Sequence, residues 1–193
     1  MKENAELRLM AREQLKGNWG IPILVSFLFT LIISIPGSIT DSGGLLALII
    51  TGPMTLGQIQ YFTRFSDGEK PPVEALFGGF KQFVPAMLLQ LIVTVLVVLW
   101  SLLLIVPGII AALGYSQAFY ILNDNPGMEA MEALRRSKNM MEGYKSKLFM
   151  MWLSFIGWGL LCILTLGIGF LWLAPYIQLS LVHFYADLKV NRE

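Results

Sequence analysis

Apolar positions along the chain fall in four long blocks separated by short charged segments. Windows 17–40, 42–63, 82–123 and 148–186 contain no Asp, Glu, Lys or Arg, and they measure 24, 22, 42 and 39 residues. A helix needs roughly 20 predominantly apolar residues to cross a bilayer. The first two windows therefore predict one spanning helix each, parted by Ser38-Ile39-Thr40-Asp41-Ser42-Gly43-Gly44. The other two are too long for one span, and each carries helix breakers near its middle, Pro107-Gly108 and Gly167-Ile168-Gly169. Proline removes a backbone donor and crowds the preceding turn, while glycine supplies the conformations of a tight reversal. Each long window thus predicts a helical hairpin, and the chain predicts six helices. Ile109 to Leu122 is the short member. Its 14 residues reach only about 21 Å against a hydrocarbon core of about 30 Å, so it is expected to be partial or re-entrant.

Composition agrees with the pattern. The 193 residues are 55% hydrophobic and 14% charged, against about 45–50% and about 25% in soluble domains. This excludes a soluble enzyme and a disordered tail, and a net charge of +1 excludes a basic nucleic-acid binder. With six spans, every Lys and Arg falls in segments 1–16, 64–81, 124–147 and 187–193, all on one side, and only Asp41 is left on the other. Basic residues mark the cytoplasmic face, so both termini are expected inside. Glu3, Glu6 and Glu13 precede the first apolar run, which reads as a retained signal anchor rather than a cleaved signal peptide. The fold expected is an all-α polytopic bundle, three hairpins each preceded by an amphipathic cytoplasmic helix.

One plan recurs three times, giving pseudo-repeats of roughly 1–63, 64–123 and 124–193 within a single membrane domain. Each has a short cytoplasmic helix, a Gly-aromatic turn with a lysine, and a helix that breaks and returns. The turns are Lys16-Gly17-Asn18-Trp19-Gly20, Gly78-Gly79-Phe80-Lys81 and Gly143-Tyr144-Lys145, and the breaks are Pro36-Gly37, Pro107-Gly108 and Gly167-Ile168-Gly169. Rings and snorkelling lysines at these positions suit the membrane interface.

Chemistry-bearing residues are few. Gln58, Gln117 and Gln178 sit one per returning helix, with Gln90 on an outgoing one. An amide in lipid needs a partner, so these side chains either bond helix to helix or line a polar path. No ionisable side chain falls in a predicted bilayer core, which weighs against ion-coupled transport. Ser180, His183 and Asp187 share one helical face; with no oxyanion site in view, His183 is expected to pair with Asp187 rather than act in catalysis. The segment 124–147 predicts a helix from about Met128 with Met131, Leu134, Met141 and Tyr144 on one side. Arg135, Arg136 and Lys138 lie on another side, and Lys145 and Lys147 follow. Such a helix suits an anionic inner leaflet or a docking partner. The methionines between Met128 and Met151 read as adaptable packing rather than a metal path. The lone Cys162 permits no intramolecular disulfide, and no cofactor motif is present.

Several stretches carry a resemblance: Leu15 to Gly20, Leu99 to Ile109, Glu132-Ala133-Leu134 through Met141-Glu142-Gly143, Leu153 to Trp158, and Ala174-Pro175-Tyr176 on to Phe184-Tyr185. In this order they resemble the bacterial integral-membrane family catalogued as domain of unknown function 975, common in Gram-positive bacteria. More distantly, that family is similar to the membrane domain beside some bacterial glycerophosphodiester phosphodiesterases. The resemblance implies a fold and a plasma-membrane location but no activity or catalytic residue. The function expected is a non-enzymatic scaffold or accessory factor, contacting anionic lipid and a protein partner or a second copy. The alternative is a small transporter or lipid-handling protein with a path lined by Gln58, Gln117 and Gln178.

Overall fold

A computed structural model of the chain describes residues 1–39 and 43–192, with the side chains of 36–46 outside the description. Among the described residues all regular structure is helical. The helices are α1 (Asn4–Leu15), α2 (Gly20–Ile39) and α3 (Gly43–Ser66), a 3₁₀ helix (Val73–Gln82), α4 (Phe83–Leu103), α5 (Ile105–Tyr115), α6 (Ala118–Asp124), α7 (Ala130–Met140), α8 (Lys145–Leu164) and α9 (Phe170–Val190). Three stretches are long and apolar enough to cross a membrane: Val73–Leu103, Ile105–Asp124 and Lys145–Leu164. A fourth is added if α1 and α2, bent by 108° at their junction, form one broken span. Three or four is what length and composition support for the described helices. α3 and α9 are long enough, but residues such as Thr51, Thr55, Gln58 and Gln60, or Ser180, His183 and Asp187, dilute their apolar character.

The breaks differ in detail from those the sequence predicts. α4 ends at Leu104, which is extended (φ −161°, ψ 144°), three residues before Pro107. Pro107 lies in the first turn of α5, where a missing N–H costs nothing because that donor has no intrahelical acceptor. Gly108 instead serves the approach of α5 to α4, since a Cβ there would fall on Ser101. α2 stays helical through Pro36-Gly37 to Ile39, and Asp41, the only charge expected on the far side, lies outside the described residues. The break at Gly167-Ile168-Gly169 falls where expected. The Gly169 N–H donates to Thr165 Oγ1 at 3.0 Å, and Thr165 Oγ1 donates to the Cys162 carbonyl at 2.8 Å. The predicted turn Gly78-Gly79-Phe80-Lys81 is part of the 3₁₀ helix that leads into α4. Its glycines serve contact rather than reversal: a Cβ on Gly79 would strike the Pro53 carbonyl, and one on Gly57 the Leu76 carbonyl. The turns after α1 and α7 do reverse on glycine, with φ of 82° at Gly17 and 83° at Gly143.

Packing is concentrated at the end of the bundle where the chain termini meet. The N-terminal ammonium donates to Asn191 Oδ1 (2.9 Å), the Lys2 N–H to Asp187 Oδ2 (2.9 Å), and Asn4 Nδ2 to the Lys147 carbonyl (2.8 Å). Around this junction Leu7, Ala11, Leu15, Tyr61, Phe62, Leu122, Leu134 and Phe184 are buried. At the opposite end apolar residues lie open: Leu102 to Val106 are 65–78% exposed, Leu164 is 80% and Leu166 94% exposed. Continuous apolar exposure on this scale is not a water-facing surface.

Candidate functional site

Several concavities open on the bundle, and three of them join helices distant in the sequence. The most aromatic lies between the α1–α2 junction and the α8–α9 pair, a cavity of about 330 Å³. Trp19, Trp158, Trp172 and Tyr176 form its walls, Cys162, Gly169 and Leu173 its floor, and Arg12 its charged rim. Arg12 is exposed on α1 while its neighbours at i−1 and i+3, Ala11 and Leu15, are buried. The helix thus docks one face on α9 and leaves the guanidinium beside the cleft. No hydrogen bond or ion pair engages that guanidinium among the described residues, and none of the cleft's lining residues is acidic. Phe155 braces the wall edge-on to Tyr176, ring centroids 5.7 Å apart.

A second, smaller cleft of about 200 Å³ runs along α5 between α4 and α7, lined by Trp100, Pro107, Ile110 and Ala111, with Gly114 and Tyr115 deeper and Lys138 and Lys145 at one end. It exists because α7 approaches α5 closely. Ser137 is fully buried; it accepts the Gln117 N–H (3.1 Å) and donates to the Gly114 carbonyl (2.8 Å). The stem of Lys145 passes over Gly114, so its Cε would sit 3.5 Å from a Cβ there. The third concavity, about 420 Å³, is polar and lies between α6, α7 and the C-terminal end of α9. There Asp124 Oδ2 accepts from Lys189 Nζ (2.7 Å) and from the Tyr185 hydroxyl (2.9 Å). Arg192 stacks 5.2 Å from the Tyr144 ring centre, and Arg136 also lines the cavity.

The glutamines singled out from the sequence are placed differently from one another. Gln58 is buried in α3 and Gln178 half-buried in α9. Gln117 sits at the α5–α6 junction; its amide donates to Ser116 Oγ (2.9 Å), and its buried Oε1 has no hydrogen-bond partner among the described residues. Gln90 bonds Thr94 within α4 (3.1 Å). No hydrogen bond joins Gln58, Gln117 and Gln178 to one another among the described residues. The α9 polar set also resolves into separate contacts. His183 Nε2 pairs with Gln14 Oε1 (2.9 Å), not with Asp187 as the sequence suggested, because α1 lays Gln14 across that face. Gln14 also donates to the Ser66 carbonyl (2.9 Å), so it ties α1 to both α9 and α3. Ser180 Oγ donates one turn back to the Tyr176 carbonyl (2.7 Å). These three residues therefore do not form a nucleophile–base–acid relay.

Of the basic residues expected to meet a leaflet or partner, Arg135, Arg136 and Lys138 are exposed and Lys145 and Lys147 half-buried. Arg136 pairs with Glu132 at 2.7 Å, and Lys147 donates to the Lys2 carbonyl. α7 docks by Ala130, Ala133, Leu134 and Ser137. Met131, expected on the apolar side, is 48% exposed because the small residues form the contact face instead. Sequence reasoning passed over Arg12 and Trp172 as site residues, and took Trp19 for an interface ring; the available signal was three tryptophans, Trp19, Trp158 and Trp172, within apolar windows.

The comparisons bear on the whole chain. The family described as "Protein of unknown function (DUF975)" matches residues 1–114 and 102–192. The chain belongs to this family. No curated protein and no solved structure matches it. The family thus carries no assigned chemistry to this chain.

Proposed function

We propose that the chain is a six-span protein of the bacterial plasma membrane, built as three helical hairpins with both termini in the cytoplasm, and that it acts without catalysis as a scaffold or accessory factor. The observation that carries this reading is the meeting of the two termini at the basic end, through Met1 with Asn191 and Lys2 with Asp187. It favours an even number of crossings, and the positive-inside preference sets the side. The open apolar surface from Leu102 to Val106 and at Leu164 and Leu166 then faces lipid. At the cytoplasmic end α7 holds to the bundle through Ala133 and Ser137 and leaves Arg135 and Lys138 exposed, where each basic residue gains about 1 kcal/mol near anionic headgroups. That face suits an acidic partner surface, the headgroup layer or a second copy.

Single cysteines at Asp67, Asn139 and Thr165, in a Cys162→Ser background, test the topology. Membrane-impermeant maleimide should label position 165 from outside and positions 67 and 139 only after permeabilisation. Glutamate at both Arg135 and Lys138 should abolish co-purification of any partner held by the wild type, and a wild type that holds none reproducibly counts against the scaffold reading.

The clefts favour a second reading, lipid handling. They join apolar walls to a cationic rim on the basic side, at Arg12 and at Lys138 with Lys145. The route expected from sequence, past Gln58, Gln117 and Gln178, is a different one, and leucine at all three positions separates the two: it should block the glutamine route and leave the clefts intact.

A further inference from the structure

We infer that the aromatic cleft between the α1–α2 junction and α8–α9 is a binding site for an anionic glycerophospholipid, its phosphate on Arg12 and one acyl chain between Trp158, Trp172 and Leu173. This rests on the membrane-embedded reading above. The argument begins with charge. Among the described residues Arg12 is the only charged group that lines the cavity, its guanidinium has no intramolecular hydrogen-bond or ion-pair partner, and no carboxylate lines the cavity. Arg8, one helical turn before it, lies near enough to act on Tyr176 electrostatically together with Arg12. A planar guanidinium is matched in shape to two phosphate oxygens, and the pairing gains strength where water is sparse.

Shape adds the second part. Below the rim the walls are rings, with Cys162 (8% exposed) and Leu173 (7% exposed) as the floor. The cavity of about 330 Å³ accepts a stretch of acyl chain between its aromatic walls. Length fits as well. Gly169 and Tyr176 lie seven residues apart in the chain, about 10 Å at 1.5 Å per residue, so the floor runs along the helix from the rim towards the far end. A free inorganic anion would use the rim and leave the aromatic walls empty; an uncharged lipid would use the walls and leave Arg12 unpaired. Only an anionic amphiphile satisfies both.

Tryptophan quenching by lipids brominated on their acyl chains tests this. The protein carries five tryptophans; phenylalanine at Trp100 and Trp152 leaves Trp19, Trp158 and Trp172 as reporters, all at the cleft. The variant is placed in vesicles of phosphatidylcholine and phosphatidylglycerol at equal fraction, with one or the other lipid brominated. Preferential quenching by the brominated phosphatidylglycerol is expected, corresponding to about fivefold tighter binding at the cleft, the ratio that one basic contact near a headgroup supplies. Arg12→Gln should bring the ratio close to one, while Arg64→Gln, at an exposed guanidinium already paired with Glu69, should leave it unchanged. Equal quenching by the two lipids in the parent protein overturns the site, as does a ratio that survives Arg12→Gln or falls equally with Arg64→Gln. Absence of quenching by either lipid overturns the embedding itself, which keeps the two failures distinct.

Discussion

The basic end and the far end of this bundle use similar residues to opposite effect. At the basic end Phe62, Leu56 and Leu122 are wholly buried, and helices close on one another through Gly57 and Gly79. At the far end Leu102, Leu164 and Leu166 are open, and Gly157 and Gly159 have no neighbour where a Cβ would stand. On the membrane reading proposed above, the contrast follows from solvent. A layer at the water boundary gains about 25 cal/mol for each Å² of apolar surface it buries. Inside a bilayer the lipid tails are as apolar as leucine, so helices have no such reason to close and meet only where small residues permit contact. Ser101 against Gly108 and Cys162 against Gly169 are the far-end contacts of that kind. The clefts lie where the two regimes meet, closed below by packing and left open above.

Five substitutions would break or sharpen this contrast. Gly57→Leu should have the largest effect, because its side chain has only the Leu76 backbone to enter; loss of folded protein on size-exclusion chromatography after mild detergent extraction is the expected outcome. Phe62→Ala should cost about 3–5 kcal/mol, the range for a fully enclosed ring. Phe170→Ala, at a residue already 45% exposed, should cost far less, and reversible denaturation in bicelles compares the two. Equal losses at both sites would refute the polarised core. Ser137→Ala removes the hydroxyl that serves both the Gln117 N–H and the Gly114 carbonyl, and should cost about 1–3 kcal/mol by stranding buried groups. It should also loosen α7, seen as faster amide exchange over 130–140. The smallest effect has the opposite sign. Gly157→Ala should stabilise by about 0.5–1 kcal/mol, since the helix gains rigidity and meets no obstacle; destabilisation in the same assay would place an unrecognised neighbour at that face.

The helices were legible from the alternation of charged and uncharged windows, and the turn at Gly167-Ile168-Gly169 was legible from its composition. Proline misled at two points. Pro107 suggested a break at its own position, although a proline is harmless in a first turn and the reversal occurs at Leu104. Pro36 suggested another within α2, which continues to Ile39. Gly78-Gly79 looked like a turn for the same reason: composition tells that a residue is small, and only contact tells whether the smallness serves reversal or approach. For the candidate site, Lys138 and Lys145 were legible only as basic residues of the 124–147 segment. Their place at the mouth of a cleft depends on Ser137 fitting α5, which no local pattern encodes.

By itself, the sequence determined the helical class, the apolar blocks and the gathering of every Lys and Arg into four segments, because hydropathy and charge are properties of residues and persist in any arrangement. Family membership rests on the same linear order. Tertiary structure alone decided that Gln14 rather than Asp187 partners His183, that small residues rather than Met131 seat α7, and that Arg12 from α1 completes a cavity walled by Trp158 and Trp172. Those are contacts between residues more than a hundred positions apart or between crossing helices, and they depend on how closely backbones approach, which is a property of pairs.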